Sequence, residues 1–491
     1  MSSTLRLLRP TCRVKWRDRC WSSRRPLSVS AAELRFGQPL HETHPHLLKA
    51  GEVTPGITAQ EYYDRRAKLA NALPRNSIAI LASSEVKYRS GAVFYQFHQD
   101  PDFLYLTGFN EPDALTIIEK IDENEHNFHL YVRPKDPRTE LWEGARSGIQ
   151  AAEDVFNADT TGDVNDIPKL LPEVLKRAKT VYTDLPGNQI TNNMLRRYLS
   201  GAPPATRGIA QAFQEARGMQ INSLRPLLND LRVIKSEAEI ANMRKAGQHS
   251  GRAITDAMRQ SFTSEKDLDS FLSYWFKQDD CDGPAYIPVV AGGINANTIH
   301  YVTNDMLLKP DDLVLVDAGA AYGGYITDIS RTWPVSGEFT PAQKDLYNLL
   351  LKVQRTCISL CRVSSNLSLD KVHNIASTTL ADGLTDLGFD MSNNAIHTLF
   401  PHHLGHYIGL DVHDSPGFPR DRQFQKNMCV TVEPGIYVPD DERWPAWARG
   451  IGMRIEDSVC VDDESPYVLS TEAVKEVVDI EALKGTDTPV K

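Results

Sequence analysis

Residues Pro401–Asp414 read PHHLGHYIGLDVHD, and they hold His402, His403, His406 and His413, four of the fourteen histidines in the chain. His402 and His406 are four apart, so a helix or tight turn would place them on one face. A buried imidazole needs a hydrogen-bond partner, so this density argues for more than core packing. Taken singly, any of these histidines reads as a satisfied polar residue; the flanking segments change that reading. Upstream, residues 313–335 read LVLVDAGAAYGGYITDISRTWPV, with Asp317 and Asp328 beside apolar runs. Downstream, VTVEPGIY (430–437) carries Glu433 and GMRIEDS (452–458) carries Glu456. The runs around these acids are short, apolar and rich in Val and Ile, which is the pattern of buried strands.

Asp317, Asp328, His406, Glu433 and Glu456 together bring four carboxylates and one imidazole. Four carboxylates buried side by side push each other's pKa upward and are costly unless neutralised. Two divalent cations neutralise them. Oxygen-rich ligation with one imidazole suits harder ions such as Mn or Co. Two ions about 4 Å apart can share a hydroxide and clamp a carbonyl as it becomes tetrahedral. The set therefore predicts metal-assisted hydrolysis of an amide or a phosphate ester. One such acid alone would read as a cap, a turn or a surface charge; the five together carry the assignment.

A length of 491 residues allows two or three domains around a large core. The composition is that of a soluble globular protein, and no stretch approaches the roughly 18 consecutive apolar residues of a membrane span. The formal charge of −10 is unevenly spread. Residues 1–32 hold eight Arg or Lys and one acid, Asp18, which leaves about −17 for the rest. An acidic body speaks against a nucleic-acid surface. Seven cysteines without a CxxC pair indicate neither a thiolate zinc site nor a disulfide framework, and fit a reducing compartment. The leader MSSTLRLLRPTCRVKWRDRCWSSRRPLSVSAAE is rich in Arg and Ser and lacks the apolar centre of a secretory signal. Residues 1–30 thus read as a mitochondrial transit peptide, with Arg25–Ser28 as the processing region.

Beyond the leader, residues 36–218 mix helices and strands in the manner of an α/β domain. Thr58 and Glu61 are placed to cap a helix over 58–73. NSIAILAS (76–83), DFLYLTGF (102–109), ALTIIEKI (114–121) and FHLYVRP (128–134) read as strands. KLLPEVLKRAK (169–179) reads as a helix and TVYTDLP (180–186) as a strand. This domain suits a scaffolding, oligomerisation or substrate-gating role. Residues 233–480 form the second domain. Ser236 and Glu239 make a capping box for a long helix whose Ile240, Met243, Gly247, Ile254 and Met258 share one face. LDSFLSYWFKQ (268–278) and SLDKVHNIASTTLADGL (368–384) read as helices, as does 340–361, with Thr340 as cap and Pro341 at its first position. Residues 285–305 look strand-like and contain His300. The two Asp runs fit a hairpin joined by a Gly-rich link, and strands return after Met391. The fold class expected is α+β, with its site on the sheet.

The segments LVLVDAGAAYGGYITDISRTWPVSGEFT, HHLGHYIGLDVHD, TVEPGIY and GMRIED resemble those of the pita-bread metallopeptidases. QDPDFLYLTGFNEPDA (99–114) resembles the amino-terminal domain of the aminopeptidase P branch, so the likeness spans about residues 36–480. Within that branch the mitochondrial intermediate-cleaving group is the nearest. The resemblance implies a pita-bread catalytic domain behind a creatinase-like amino-terminal domain, and two divalent ions, Mn2+ foremost. It assigns Asp317 to one ion, Asp328 and Glu456 as bridges, and His406 and Glu433 to the other ion. Glu433 or Glu456 handles the proton of the attacking water. His300, His402 and His413 line the substrate site and stabilise the tetrahedral intermediate. Arg454 steadies the Glu456 carboxylate, and Tyr437 forms a wall of the site. Asp102 and Trp142 match positions that reach the substrate pocket across subunits, which implies a homo-oligomer, a dimer or tetramer. His403 departs from the Gly usual in HGLGH-type motifs.

The activity implied is removal of one bulky amino-terminal residue (Leu, Tyr or Phe) from imported proteins after presequence cleavage. The matrix or the inner-membrane periphery is the expected location, and a nuclear pool is compatible with it. An Xaa-Pro aminopeptidase is the alternative within enzymes, ahead of a dipeptide-only prolidase. The alternative of another class is a non-catalytic pita-bread binding protein; relatives of that kind have lost ligands, whereas all five stand here.

Overall fold

The computed structural model describes residues 35–122, 125–185, 212, 219–278, 280–484 and 486. The transit-peptide reading lies outside them. The amino-terminal part is a six-stranded mixed sheet with helices packed against it. Its strands are β1 (Ser77–Ala82), β2 (Leu115–Lys120), β3 (His126–Val132), β4 (Thr160–Asp163), β5 (Thr180–Tyr182) and β6 (Gln220–Asn222), in the order β6-β5-β1-β2-β3-β4. The β1–β2 and β2–β3 pairs are antiparallel, and the pairs outside them are parallel. Ile78, Ile80, Leu115 and Ile117 pack beneath the helix Ile167–Leu175, while Ala79, Leu81, Ile118 and Leu130 join a second cluster with helix α1 (Ala59–Ala72). Thr58 caps α1 by accepting from Glu61 N, as expected. The Glu61 carboxylate does not close the box; it accepts from Arg65 and Ser236 instead.

One expectation fails here. Residues 102–109, read as a strand, form most of helix α2 (Pro101–Thr107). Asp100 caps it, Pro101 occupies its first turn, and Gly108 closes it in the left-handed conformation at φ 67°. These are strong start and stop signals, and they outweigh an apolar run that resembles a strand.

The carboxy-terminal part begins with α3 (Arg225–Arg232) and α4 (Glu237–Arg259), the latter opened by the complete Ser236–Glu239 capping box. Then come α5 (Glu265–Trp275), β7 (Val289–Gly292), β8 (Leu313–Asp317), β9 (Ala320–Tyr322), β10 (Tyr325–Ile326) and β11 (Ser330–Pro334). Strand β8 lies between β7 and β11 and is antiparallel to both, with Asp317 opposite Ser330. The Gly-rich link is itself a small hairpin, β9–β10, which turns on Gly323 and Gly324 at φ 58° and 81°. Such angles favour glycine. Two long helices follow, α6 (Pro341–Leu360) and α7 (Leu369–Asp386), with Thr340 capping the first as expected. Leu346 and Leu350 of α6 and Val372 and Leu380 of α7 pack with Val314 and Val316 of β8 in the largest core cluster. The closing strands are β12 (Cys429–Val432), β13 (Gly435–Tyr437), β14 (Gly452–Arg454) and β15 (Asp457–Cys460). β12 pairs with β15, and β13 with β14, both antiparallel. Of residues 285–305, only Val289–Gly292 is a strand; a short 3-10 turn, Gly293–Asn297, follows it.

The two parts are riveted by charge. Arg232 pairs with Asp102 (2.5 Å), Asp411 (3.1 Å) and Asp414, and Lys235 pairs with Asp414 (2.9 Å). Arg65 of α1 donates to Tyr325, which donates in turn to Glu239 of α4.

Candidate metal centre

Strand ends bring the five ligand candidates together. Asp317 closes β8 and Asp328 precedes β11; Glu433 follows β12, and Glu456 sits between β14 and β15. His406 enters from a loop, not from a helix, so His402 and His406 do not share a helical face. That loop is drawn tight against β12: Thr431 N–H donates to His406 O, and His406 N–H donates to Thr431 Oγ1 (3.0 Å). Gly405 allows the approach, because a Cβ there would lie 2.0 Å from Thr431 O.

Asp328, His406 and Glu456 each offer a ligand atom within 4.8 Å of the others. His406 Nε2 is 3.5 Å from both Asp328 Oδ2 and Glu433 Oε1. Its Nδ1 faces the Tyr407 carbonyl at 3.1 Å, so the Nδ1 hydrogen is spent there and Nε2 is the ring atom turned to the acids. Tyr286 Oη contacts Asp317 Oδ1 (2.8 Å) and Asp328 Oδ1 (2.5 Å). Arg454 Nη2 pairs with Asp317 Oδ2 at 2.7 Å. The resemblance had placed Arg454 on Glu456. Its hydrogen bonds reach that residue through Ser330, whose Oγ accepts from Arg454 Nε and donates to Glu456 Oε2, and its charge also favours the ionised Glu456.

The electrostatics of this basin are those of crowded acids. Burial and the Asp328 charge push Asp317 up to about 7. Burial, with Asp328 and Asp317 adding to it against His406 and Arg454, pushes Glu433 up to about 7. Burial and three acidic neighbours push Glu456 well above the carboxylate range. Burial alone would lower His406, but its hydrogen bond to Asp328 and the charges of Glu433 and Asp328 raise it to about 9. Burial would raise Asp328; the hydrogen bond and charge of His406 outweigh it and hold the carboxyl low. Glu456 Oε1 is buried and has no hydrogen-bond partner among the described residues. A buried, unpartnered carboxylate oxygen in an acid-rich basin fits a cation ligand. The residues present therefore fit divalent ions.

The surrounding histidines differ from one another. His402 Nδ1 is 2.8 Å from the His403 carbonyl, an acceptor only, and its Nε2 is 2.9 Å from Tyr437 Oη. Burial and Arg454 lower its pKa to about 3, so it is neutral and accepts the Tyr437 hydrogen. Tyr437 Oη also accepts from Arg454 Nη1 at 2.7 Å. His413 is solvent-exposed and its ring meets that of His406 edge-on at 4.4 Å. His300 is exposed and close enough to His413 to act on its charge. Asp102 is held by Arg232, which also binds Asp411 in the same loop as His413. Trp142 is 83 % exposed on the helix Pro137–Glu143. Sequence reading missed Tyr286, Ser330 and Thr431. A hydroxyl carries no charge or spacing signature, so only the position of Ser330 opposite Asp317 could have marked one of them.

Residues 241–463 match metallopeptidase family M24, and residues 62–182 match the aminopeptidase P N-terminal domain. The chain is 44 % identical to intermediate cleaving peptidase 55 of Saccharomyces cerevisiae, over 91 % of this chain and 88 % of that one. It is 37 % identical to human Xaa-Pro aminopeptidase 3, with 91 % and 90 % covered. It is 35 % identical to the Arabidopsis thaliana protein named intermediate cleaving peptidase 55, mitochondrial, with 91 % and 87 % covered. The crystal structure of yeast Icp55 lacking 58 N-terminal residues superposes with a TM-score of 0.81 at 40 % identity, covering 89 % of this chain and 99 % of that chain.

Proposed function

The chain belongs to metallopeptidase family M24, in its aminopeptidase P branch, and is a metal-dependent aminopeptidase acting on peptide or protein amino termini; from that membership we propose a processing role. The enzyme removes one bulky amino-terminal residue, Leu, Tyr or Phe, from proteins imported into mitochondria after presequence cleavage. The similarity to proteins named intermediate cleaving peptidase supports this, as does the basic leader, which carries the mitochondrial assignment. We take residues 36–218 and 233–480 as the two domains, two Mn2+ as the resident ions, and the matrix or inner-membrane periphery as the location. The exposed hairpin of Tyr88, Val93, Phe94 and Tyr95 supports a homo-oligomer, since a lone two-stranded hairpin is marginal in water.

The single observation that carries the hydrolytic reading is the acid basin with its unpartnered Glu456 oxygen. Asp317, Asp328, His406, Glu433 and Glu456 would hold the ions, which when bound would supply Lewis acidity and an acidified water. The protein's own groups do the rest. Glu433 Oε1 faces His406, leaving Oε2 to take the proton of the attacking water and return it to the departing amine. Arg454 keeps Asp317 ionised and in place. His300 and His413, exposed beside the basin, line the substrate groove with Tyr437 and donate to the reacting carbonyl oxygen. His402 acts through Tyr437.

A second reading, release of the residue before Pro, is favoured by the likeness to Xaa-Pro aminopeptidase 3. Peptides that differ only at the start separate the two. The chain begun at Ser28 and loaded with Mn2+ is given Leu-Ser-, Tyr-Ser- and Phe-Ser- peptides beside Leu-Pro- and Arg-Pro- ones, with products weighed by mass spectrometry. Loss of one residue from the Ser series is expected. Cleavage confined to the Pro series would replace the processing role with the Xaa-Pro one, and no cleavage of either would favour a binding protein.

A further inference from the structure

His403, the residue that departs from the usual Gly, is fixed on two sides by α7. Its Nε2 lies 3.1 Å from Asp370 Oδ1, and its ring stacks on His373 at 4.4 Å and 21°. Its Nδ1 lies 2.9 Å from the Gly405 carbonyl. His373 Nδ1 accepts from Leu404 N–H at 3.1 Å, so two residues of the ligand loop hang on one helix. The His403 carbonyl is the group that takes the Nδ1 hydrogen of His402. From there the bonds run on without a gap: Tyr437 O–H to His402 Nε2, Arg454 Nη1 to Tyr437 Oη, and Arg454 Nη2 to Asp317 Oδ2. Five side chains and one carbonyl thus connect the start of α7 to a metal-ligand carboxylate.

We propose that Asp370, His373 and His403 are positioning residues, a mount on α7 that holds His402 in its Nδ1–H tautomer and thereby commits the Tyr437 hydroxyl and Arg454. The physical reason is that a carbonyl can only accept. As long as the His403 peptide is held, His402 must present a lone pair to Tyr437, and Tyr437 must present its oxygen to Arg454. If the loop loosens, His402 can take the other tautomer. Tyr437 then loses its acceptor, and Arg454 gains freedom to leave Asp317. His373 is suited to the task because burial and His403 lower its pKa to about 4, so its acceptor nitrogen stays unprotonated. A glycine at 403 would keep the backbone carbonyl but lose both ring anchors.

The test uses the full chain with Mn2+ and compares wild type with His403→Gly, His403→Asn and Asp370→Asn. Only the choice of assay rests on the peptidase reading. His403→Gly and Asp370→Asn are expected to lower kcat about 10-fold, the lower range for partners one bond removed from a metal site, with KM little changed. His403→Asn, whose amide can still donate to Asp370, is expected to recover most of that loss. A second readout needs no turnover: hydrogen exchange at the imidazole C2 of His402, followed by mass spectrometry, should quicken in His403→Gly and not in His403→Asn. With Tyr437→Phe as background, His403→Gly should cost little more, because both act along one chain. Equal losses in His403→Gly and His403→Asn, or wild-type kcat and exchange in His403→Gly, would overturn the proposal. Where the wild type itself turns nothing over, the peptidase reading fails and the exchange comparison alone decides this one.

Discussion

Glu456 and Asp457 are neighbours in the chain, both are carboxylates buried to the same degree, and they live opposite lives. Glu456 turns into a basin of acids, keeps one oxygen without a partner, and is pushed far up in pKa. Asp457 turns the other way. Its Oδ1 accepts from Arg331 (2.7 Å) and Ser470 (2.7 Å), and its Oδ2 accepts from Gln354 (2.7 Å) and Lys475 (2.6 Å). Burial would raise it, but Arg331 and Lys475 outweigh burial and hold it below the usual carboxylate range. Both acids are affordable in a low-dielectric interior only when their charge is met. The fold meets one of them itself and leaves the other to a cation. Balance of buried charge, more than burial, separates a structural acid from a functional one.

The comparison can be broken most sharply at the ligand set. Glu456→Gln should cost more than about 100-fold in kcat/KM, beyond what outer partners of a metal site cost, while the metal-free protein melts no lower than wild type, because a carboxylate opposed by its acidic neighbours has gone. A clear drop in its metal-free Tm would show that the basin is balanced after all. Asp457→Ala should do the reverse. It strands Arg331 and Lys475, and is expected to lower unfolding stability by about 3–5 kcal/mol, read by urea denaturation of the metal-loaded enzyme. A variant as stable as wild type would sink the structural assignment.

The pH dependence sharpens it further. Asp317 and Glu433 rise to about 7 from ordinary values of 3.8 and 4.5, and His406 rises to about 9 from 6.5. In all three the folded state binds the proton more tightly than the unfolded one. The stability they give is complete below the ordinary value and is lost as pH climbs through the raised one. The metal-free Tm should therefore fall between about pH 5 and about pH 8, and metal should flatten that slope. Asp457 has the opposite sign: its contribution is complete at neutral pH and fades only in acid, below 3.8. A metal-free Tm that rises over the same interval would contradict the charge assignment. The smallest effect is expected at Trp142. Trp142→Ala, on an open surface, should change monomer stability by no more than about 0.5 kcal/mol, yet shift sedimentation toward smaller species if the proposed oligomer uses that face.

The four acidic ligand candidates were legible as a group because each sits at the edge of an apolar run. Val and Leu in LVLVDAG, Val in VTVEPG, and Met and Ile in GMRIED favour buried strands, and strands deliver their terminal acids to a common edge. The cap of α4 at Ser236 and that of α6 at Thr340 were legible for a similar reason, since capping is local. The reading of 102–109 as a strand went wrong because apolar content was weighed above the Asp100–Pro101 start and the Gly108 stop.

By itself the sequence determined the inventory: four carboxylates and a histidine too costly to bury together without cations, an α+β body to hold them, and a basic leader. Only the tertiary structure decided which partners each member received. It gave Arg454 to Asp317 and Ser330 to Glu456, placed Tyr286 across two acids, and hung the histidine loop on α7 through His403. These contacts join residues far apart in the chain, and their energies depend on distance and angle. Composition and spacing fix which groups must be neutralised, whereas the route of each hydrogen bond is set by packing.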